Sequence, residues 1–111
     1  MARTAKRLFG PAQLNGSPAT TKYTVPAGPK TILREIWVSN PGGGSTVNLT
    51  MSIGTDAAGT RIFDAYPIQA GTVMPLQFHQ KVLDAGEVIQ AFASIANVLV
   101  LTLNGDELTL G

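Results

Sequence analysis

His79 is the only histidine and there is no cysteine, so a multi-histidine or thiolate metal centre is excluded by composition, and a nucleophilic triad would have to be built on one imidazole. No Gly-x-Ser-x-Gly, phosphate loop or dinucleotide fingerprint accompanies it. His79 is therefore expected at a strand end on the surface. Paired carboxylates are the next chemistry to consider. Asp56 and Asp64 flank a strand start and Asp106-Glu107 are adjacent, but a glycosidase pair must face one cleft across ~5–9.5 Å. Acids set in turns of a small chain are better explained as turn and capping residues, which is the expectation for Asp56, Asp84 and Asp106. A calcium loop built on Asp56 and Asp64 lacks the alternating oxygen ligands of such loops. No catalytic residue, metal ligand or cofactor is expected.

Three aromatic residues, Tyr23, Trp37 and Tyr66, could stack on pyranose rings as a ligand platform. Trp37 lies between Ile36 and Val38, which favours core packing or a subunit interface instead. Asn48-Leu49-Thr50 has the pattern of a glycosylation acceptor; its place inside a strand sets it aside.

The elements that position these residues are strands. Residues 31–54 are the organising stretch: Val47, Leu49, Met51 and Ile53 alternate with Asn48, Thr50 and Ser52, the period of a half-buried strand. Residues 32–38 carry bulk on both faces and suit a central strand. Asn40-Pro41-Gly42-Gly43-Gly44-Ser45 interrupts both, so a long-looped β-hairpin is expected. Thr20–Val25, Arg61–Tyr66 ending before Pro67, Thr72–Phe78, Val88–Ala93 and Val98–Leu103 supply further strands. Pro75 assigns its strand to an edge or a bulge, and the apolar Val98–Leu103 run belongs inside a sheet. Ala-Gly turns recur at Ala27-Gly28, Ala70-Gly71 and Ala85-Gly86, and Asn104-Gly105-Asp106 carries a turn signal before a short tail. The expected fold is all-β: one antiparallel β-sandwich, jelly-roll-like or Ig-like, over residues 20–111, with an extended N-terminal arm over 1–19.

Charge is sparse and uneven. Charged residues make up 14% of the 111, against ~25% in an average globular chain. Mean hydropathy is +0.17. Arg3, Lys6, Arg7, Lys22, Lys30 and Arg34 all precede the first acid, Glu35, while the remainder carries two bases and seven acids. A basic arm of this kind can dock on the acidic part of a neighbouring copy. Nucleic acid is not expected, because stacking aromatics are not interleaved with the bases. No apolar run approaches the ~18 residues of a membrane span and no secretory signal precedes the domain, so a protein made in the cytoplasm is expected. A weakly charged exterior suits burial against other subunits. The expected assembly contacts are Arg3, Lys6, Arg7, Leu8, Phe9 and Leu14 in the arm, and Leu108 and Leu110 in the tail.

Tyr23-Thr24-Val25-Pro26-Ala27-Gly28, then Ile32–Val38 with Ser39-Asn40, then Met51-Ser52-Ile53-Gly54-Thr55-Asp56-Ala57-Ala58-Gly59-Thr60-Arg61, and later Ala85–Ala91 resemble small virion proteins of tailed bacteriophages, described as minor tail or capsid-decorating components. The resemblance spans residues 20–103 and rests on turn and strand patterns. It implies a non-enzymatic β-sandwich structural subunit located in the virion, a homo-oligomer that binds other capsid or tail proteins. A minor tail component is the first expectation and a capsid decoration protein the alternative. The competing class is a module that binds host-surface glycans through loops 40–45 and 54–60.

Overall fold

Alternation of apolar and polar side chains gives each segment one face to bury, and among the described residues eight antiparallel strands meet that demand in two layers. The computed structural model describes residues 2–27, 30–41 and 45–109, with side chains described over the same residues except 2, 76–80 and 109. The strands are β1 (Ala2–Gln13), β2 (Thr20–Thr24), β3 (Thr31–Ser39), β4 (Val47–Ile53), β5 (Arg61–Ile68), β6 (Val73–Leu83), β7 (Val88–Ala93) and β8 (Val100–Thr109). One sheet has the order β1-β8-β3-β6 and the other β2-β7-β4-β5. Successive strands change sheet at every connection except β4–β5, which is the interleaved Greek-key order of a jelly roll.

The inner faces form one core. Leu8, Leu14, Leu33, Ile36, Val38, Leu101 and Leu103 face Val47, Leu49, Met51, Ile68, Ile89, Ala91 and Ala93, all buried. Burial of this apolar surface, at ~25 cal/mol per Å², is the main term holding the layers together.

Four expectations are corrected by the pairing. The stretch 1–19 is not a projecting arm: Ala2–Gln13 is a strand of the sandwich, paired with β8 from Thr109 back to Val100. Leu8 and Leu14 drive this, because their side chains fill the core (9% and 0% exposed). The 31–54 stretch is not a hairpin, since β3 and β4 lie in different sheets. The connection between Ser39 and Val47 therefore joins the two layers, and the Gly42–Gly44 part of the expected turn lies outside the described residues. β5 continues through Pro67 to Ile68, which its position at a sheet edge permits, because an edge residue can lack a donor. Finally, Asn104-Gly105-Asp106 is strand and not turn. β8 is flanked by β1 and β3, and a Cβ at Gly105 would lie 2.2 Å from the Ile32 carbonyl oxygen. Glycine there serves close strand approach, so its turn propensity is overridden.

Other expectations agree with the structure. β6, with Pro75, is an edge strand and β8 is interior. Gly71 and Gly86 close their turns in the left-handed region (φ 79° and 84°), where a Cβ would be strained.

Candidate functional site

The outer face of the β1-β8-β3-β6 sheet carries the exposed apolar surface of most interest. Trp37, in the middle of β3, sits between Thr102 on β8 and Pro75 on β6; on the next rung Ser39 sits between Val100 and Val73. Strand alternation turns Ile36 and Val38 inward, so Trp37 must point out, and it is 39% exposed. Val73, on the edge strand, is 58% exposed. Pro11, Trp37, Ser39, Val73, Val100 and Thr102 line a shallow depression of about 310 Å³. A second depression shares Val73 and runs over Met74, Pro75, Pro67 and Tyr66, carrying the apolar surface round onto the β5 edge. Tyr66 packs its ring 5.6 Å from that of Phe63.

The opposite end of the same sheet is charged. Asp106, 5% exposed, takes Arg34 Nε at 2.5 Å and Arg3 Nε at 3.3 Å. Its neighbour Glu107 accepts from Lys6 Nζ at 3.1 Å and from the Tyr23 hydroxyl, and that hydroxyl also lies 2.9 Å from Thr31 Oγ1. Burial, reinforced by the Glu107 carboxylate, pushes the Tyr23 phenol up to about 12. The same phenol, followed by Lys6, holds Glu107 below its ordinary value. The expected docking of basic N-terminal residues on another copy is thus corrected for Arg3 and Lys6, whose acids lie on β8 of the same chain. Arg7 is exposed and has no ion pair among the described residues.

Loop 54–60 spends its polar groups internally. Arg61 grips Asp56 through Nε and Nη2 at 2.9 and 3.1 Å and reaches Asp64 through Nη1 at 3.0 Å. Ser52 Oγ donates to Asp56 at 2.6 Å, and Gln90 Oε1 accepts the Asp56 backbone N–H. Arg61, then Ser52, lower the Asp56 pKa. A guanidinium thus bridges the two carboxylates that a calcium loop would need. No grouping of three or more potential metal ligands occurs among the described residues.

Most of the residues expected to reach other subunits are occupied within the domain. Leu8 and Leu14 are core, Phe9 packs partly against it, and Leu108 is half-buried with its N–H on the Lys30 carbonyl. Their apolar character signalled burial, but the partner is their own sheet. Leu110 and the His79 side chain lie outside the described residues. Of the aromatics, Tyr23 is a tie between sheets, Tyr66 is a surface residue at 44% exposure, and Trp37 is outward-facing and not core. Val73, Pro75 and Pro11 were not anticipated as part of a surface with Trp37. The signal was indirect: giving Met74 to the inner face of its strand leaves Val73 and Pro75 on the other.

No protein-family model, curated protein or solved structure matches this chain.

Proposed function

We propose that this protein is a non-enzymatic structural subunit of a tailed-bacteriophage virion, a minor tail component that assembles through the outer face of its β1-β8-β3-β6 sheet. The observation that carries the reading is the exposed apolar surface around Trp37, Val73 and Pro75 on a sandwich with few surface charges. Large apolar patches on an otherwise polar rim mark protein contacts, and aromatic residues anchor them. The resemblance in the turn and strand patterns of residues 20–103 supports the virion setting. The internally bonded loop 54–60 suits a mechanical block.

The test is recovery of the chain from density-banded particles of the producing culture, with gold-labelled antibody locating it. A fixed ratio to tail proteins and label on the tail is the expected result, whereas label on the head selects the decoration role. Trp37→Lys should lower incorporation by about tenfold or more while the purified variant stays folded. Banded particles devoid of the chain overturn the proposal.

A second reading has its own observation. Trp37 is flanked by the hydroxyl-bearing Ser39 and Thr102 in the same depression, a combination that offers a stacking face with hydrogen-bonding neighbours to a host-surface sugar. Glycan-array binding by the wild type that disappears in Trp37→Ala would select this reading; a blank wild-type array removes it.

A further inference from the structure

We propose that Asn15 is a site of spontaneous deamidation: the Gly16 backbone nitrogen attacks the Asn15 side-chain carbonyl carbon, ammonia leaves, and water opens the resulting succinimide to aspartate or isoaspartate. The inference goes beyond the assembly reading and does not rest on it.

The chain holds five asparagines, and two of them, Asn15 and Asn104, precede glycine. The ring closes only when the next backbone nitrogen can reach Cγ, and glycine leaves that approach open because it has no side chain. Asn48 and Asn97 precede Leu49 and Val98, which crowd it, and Asn40 precedes Pro41, which has no N–H to give up. The fold separates the remaining two. Asn104-Gly105 lies inside β8 with β1 on one side and β3 on the other, and the Ile32 carbonyl pressed against Gly105 leaves its backbone no room to turn. Asn15-Gly16 lies between β1 and β2 and is half-buried, so water reaches it. Among the described residues no acceptor holds the Gly16 N–H.

The surroundings of the Asn15 amide favour the attack. Its Oδ1 accepts from Lys22 Nζ at 2.7 Å and from Thr20 Oγ1 at 2.9 Å. Both donors face the oxygen on which negative charge develops when Cγ becomes tetrahedral, and one of them is an ammonium. Lys22 has no carboxylate partner among the described residues, so its charge is directed at this oxygen. The Gly16 nitrogen gives its proton to solvent as its bond to Cγ forms. The Cγ–Nδ2 bond then breaks, and Nδ2 takes a proton from water and leaves as ammonia. Water adds to either ring carbonyl, so the net reaction consumes water and releases ammonia.

The product fits its site poorly. Nδ2 donates to the Gly16 and Pro18 carbonyls, and a carboxylate in its place sets oxygen against oxygen. The isoaspartate form also lengthens the backbone beside the Asn15 carbonyl, which accepts the Ala93 N–H. Deamidation is thus an ageing step that loosens the connection between β1 and β2.

Incubation of the full chain in mildly alkaline buffer, followed by peptide mass mapping and enzymatic methylation of isoaspartate, tests the proposal. The native chain should convert at Asn15 and keep Asn104, whereas in concentrated urea both should convert at similar rates. Gly16→Ala should slow conversion; a Cβ there has the Ala96 Cβ at 3.7 Å as its nearest neighbour, so the variant should fold. Lys22→Met keeps an apolar stem beside the Phe9 ring and should slow conversion by about tenfold or more, since a donor to the developing oxyanion is lost. A native chain that keeps Asn15 overturns the proposal, as does Asn104 converting as fast as Asn15 in the native chain, or Lys22→Met converting at the wild-type rate. Amide exchange over β2 should be faster in Asn15→Asp than in the wild type; unchanged exchange overturns the loosening.

Discussion

The Tyr23 phenol on β2 donates to Oε2 of Glu107 on β8, so a single hydrogen bond ties one sheet of the sandwich to the other. Lys6 on β1 completes the contact at the other carboxylate oxygen and Thr31 on β3 meets the phenol. Four strands from both layers therefore converge on two side chains. Tyr23→Phe keeps the ring and removes the tie. It should cost about 1.5–3 kcal/mol, the range for a hydrogen bond to a charged group, read as a lower urea midpoint at unchanged slope.

Alkaline pH probes the same group. The folded phenol holds its proton up to about 12, whereas the unfolded one releases it near 10.0. Between those values the folded state binds more protons, so stability falls as pH rises. The wild type should lose stability over that window, and Tyr23→Phe should lose distinctly less. Equal alkaline limbs in the two proteins would contradict the assignment.

Acid acts with the opposite sign. Glu107 and Asp56 are both held below their ordinary values of 4.5 and 3.8, so the unfolded chain takes up protons first and stability drops as pH falls through that region. Asp56→Asn should shrink the acid limb. It should also speed amide exchange in residues 54–60, because Arg61 and Ser52 lose the carboxylate that organises the loop.

Asn40 is fully buried, and its Nδ2 donates to the carbonyls of Ser45 and Ile68, both at 2.9 Å. Its backbone bonds Thr72 and Gly71. One residue thus pins the crossing after β3 to the turn between β5 and β6. Asn40→Ala strands two carbonyls and should cost on the order of 1–3 kcal/mol; Asn40→Asp should be at least as damaging, since it sets a carboxylate against carbonyl oxygens. Chemical denaturation measures both.

Deleting residues 2–14 should unfold or aggregate the chain, because it strips β1 from β8 along its whole length and removes Leu8 and Leu14 from the core. Leu14→Ala alone should cost about 2–5 kcal/mol. Circular dichroism and the urea midpoint report the outcome, and a truncated chain that stays folded and monomeric would contradict the packing described for β1.

Alternation by itself determined that Val47, Leu49 and Met51 face one way and that residues 20–24, 31–39 and 88–93 contain strands, and proline's missing donor limited the strand of Pro75 to an edge or a bulge, because these follow from the two-residue period of the backbone and from the donors a ladder needs. What pairs with what was decided only by tertiary structure. Hydrogen bonds between strands connect residues far apart in the chain, so no local pattern distinguishes a β3–β4 hairpin from the observed crossing between sheets. Nor could local chemistry show that Gly105 is a strand residue, when its reason is the Ile32 carbonyl pressed against it. The candidate face divides the same way. Trp37 was legible as a residue of interest, but its company of Val73, Pro75 and Pro11 arises from register across four strands, a long-range property that residue spacing along one strand does not encode.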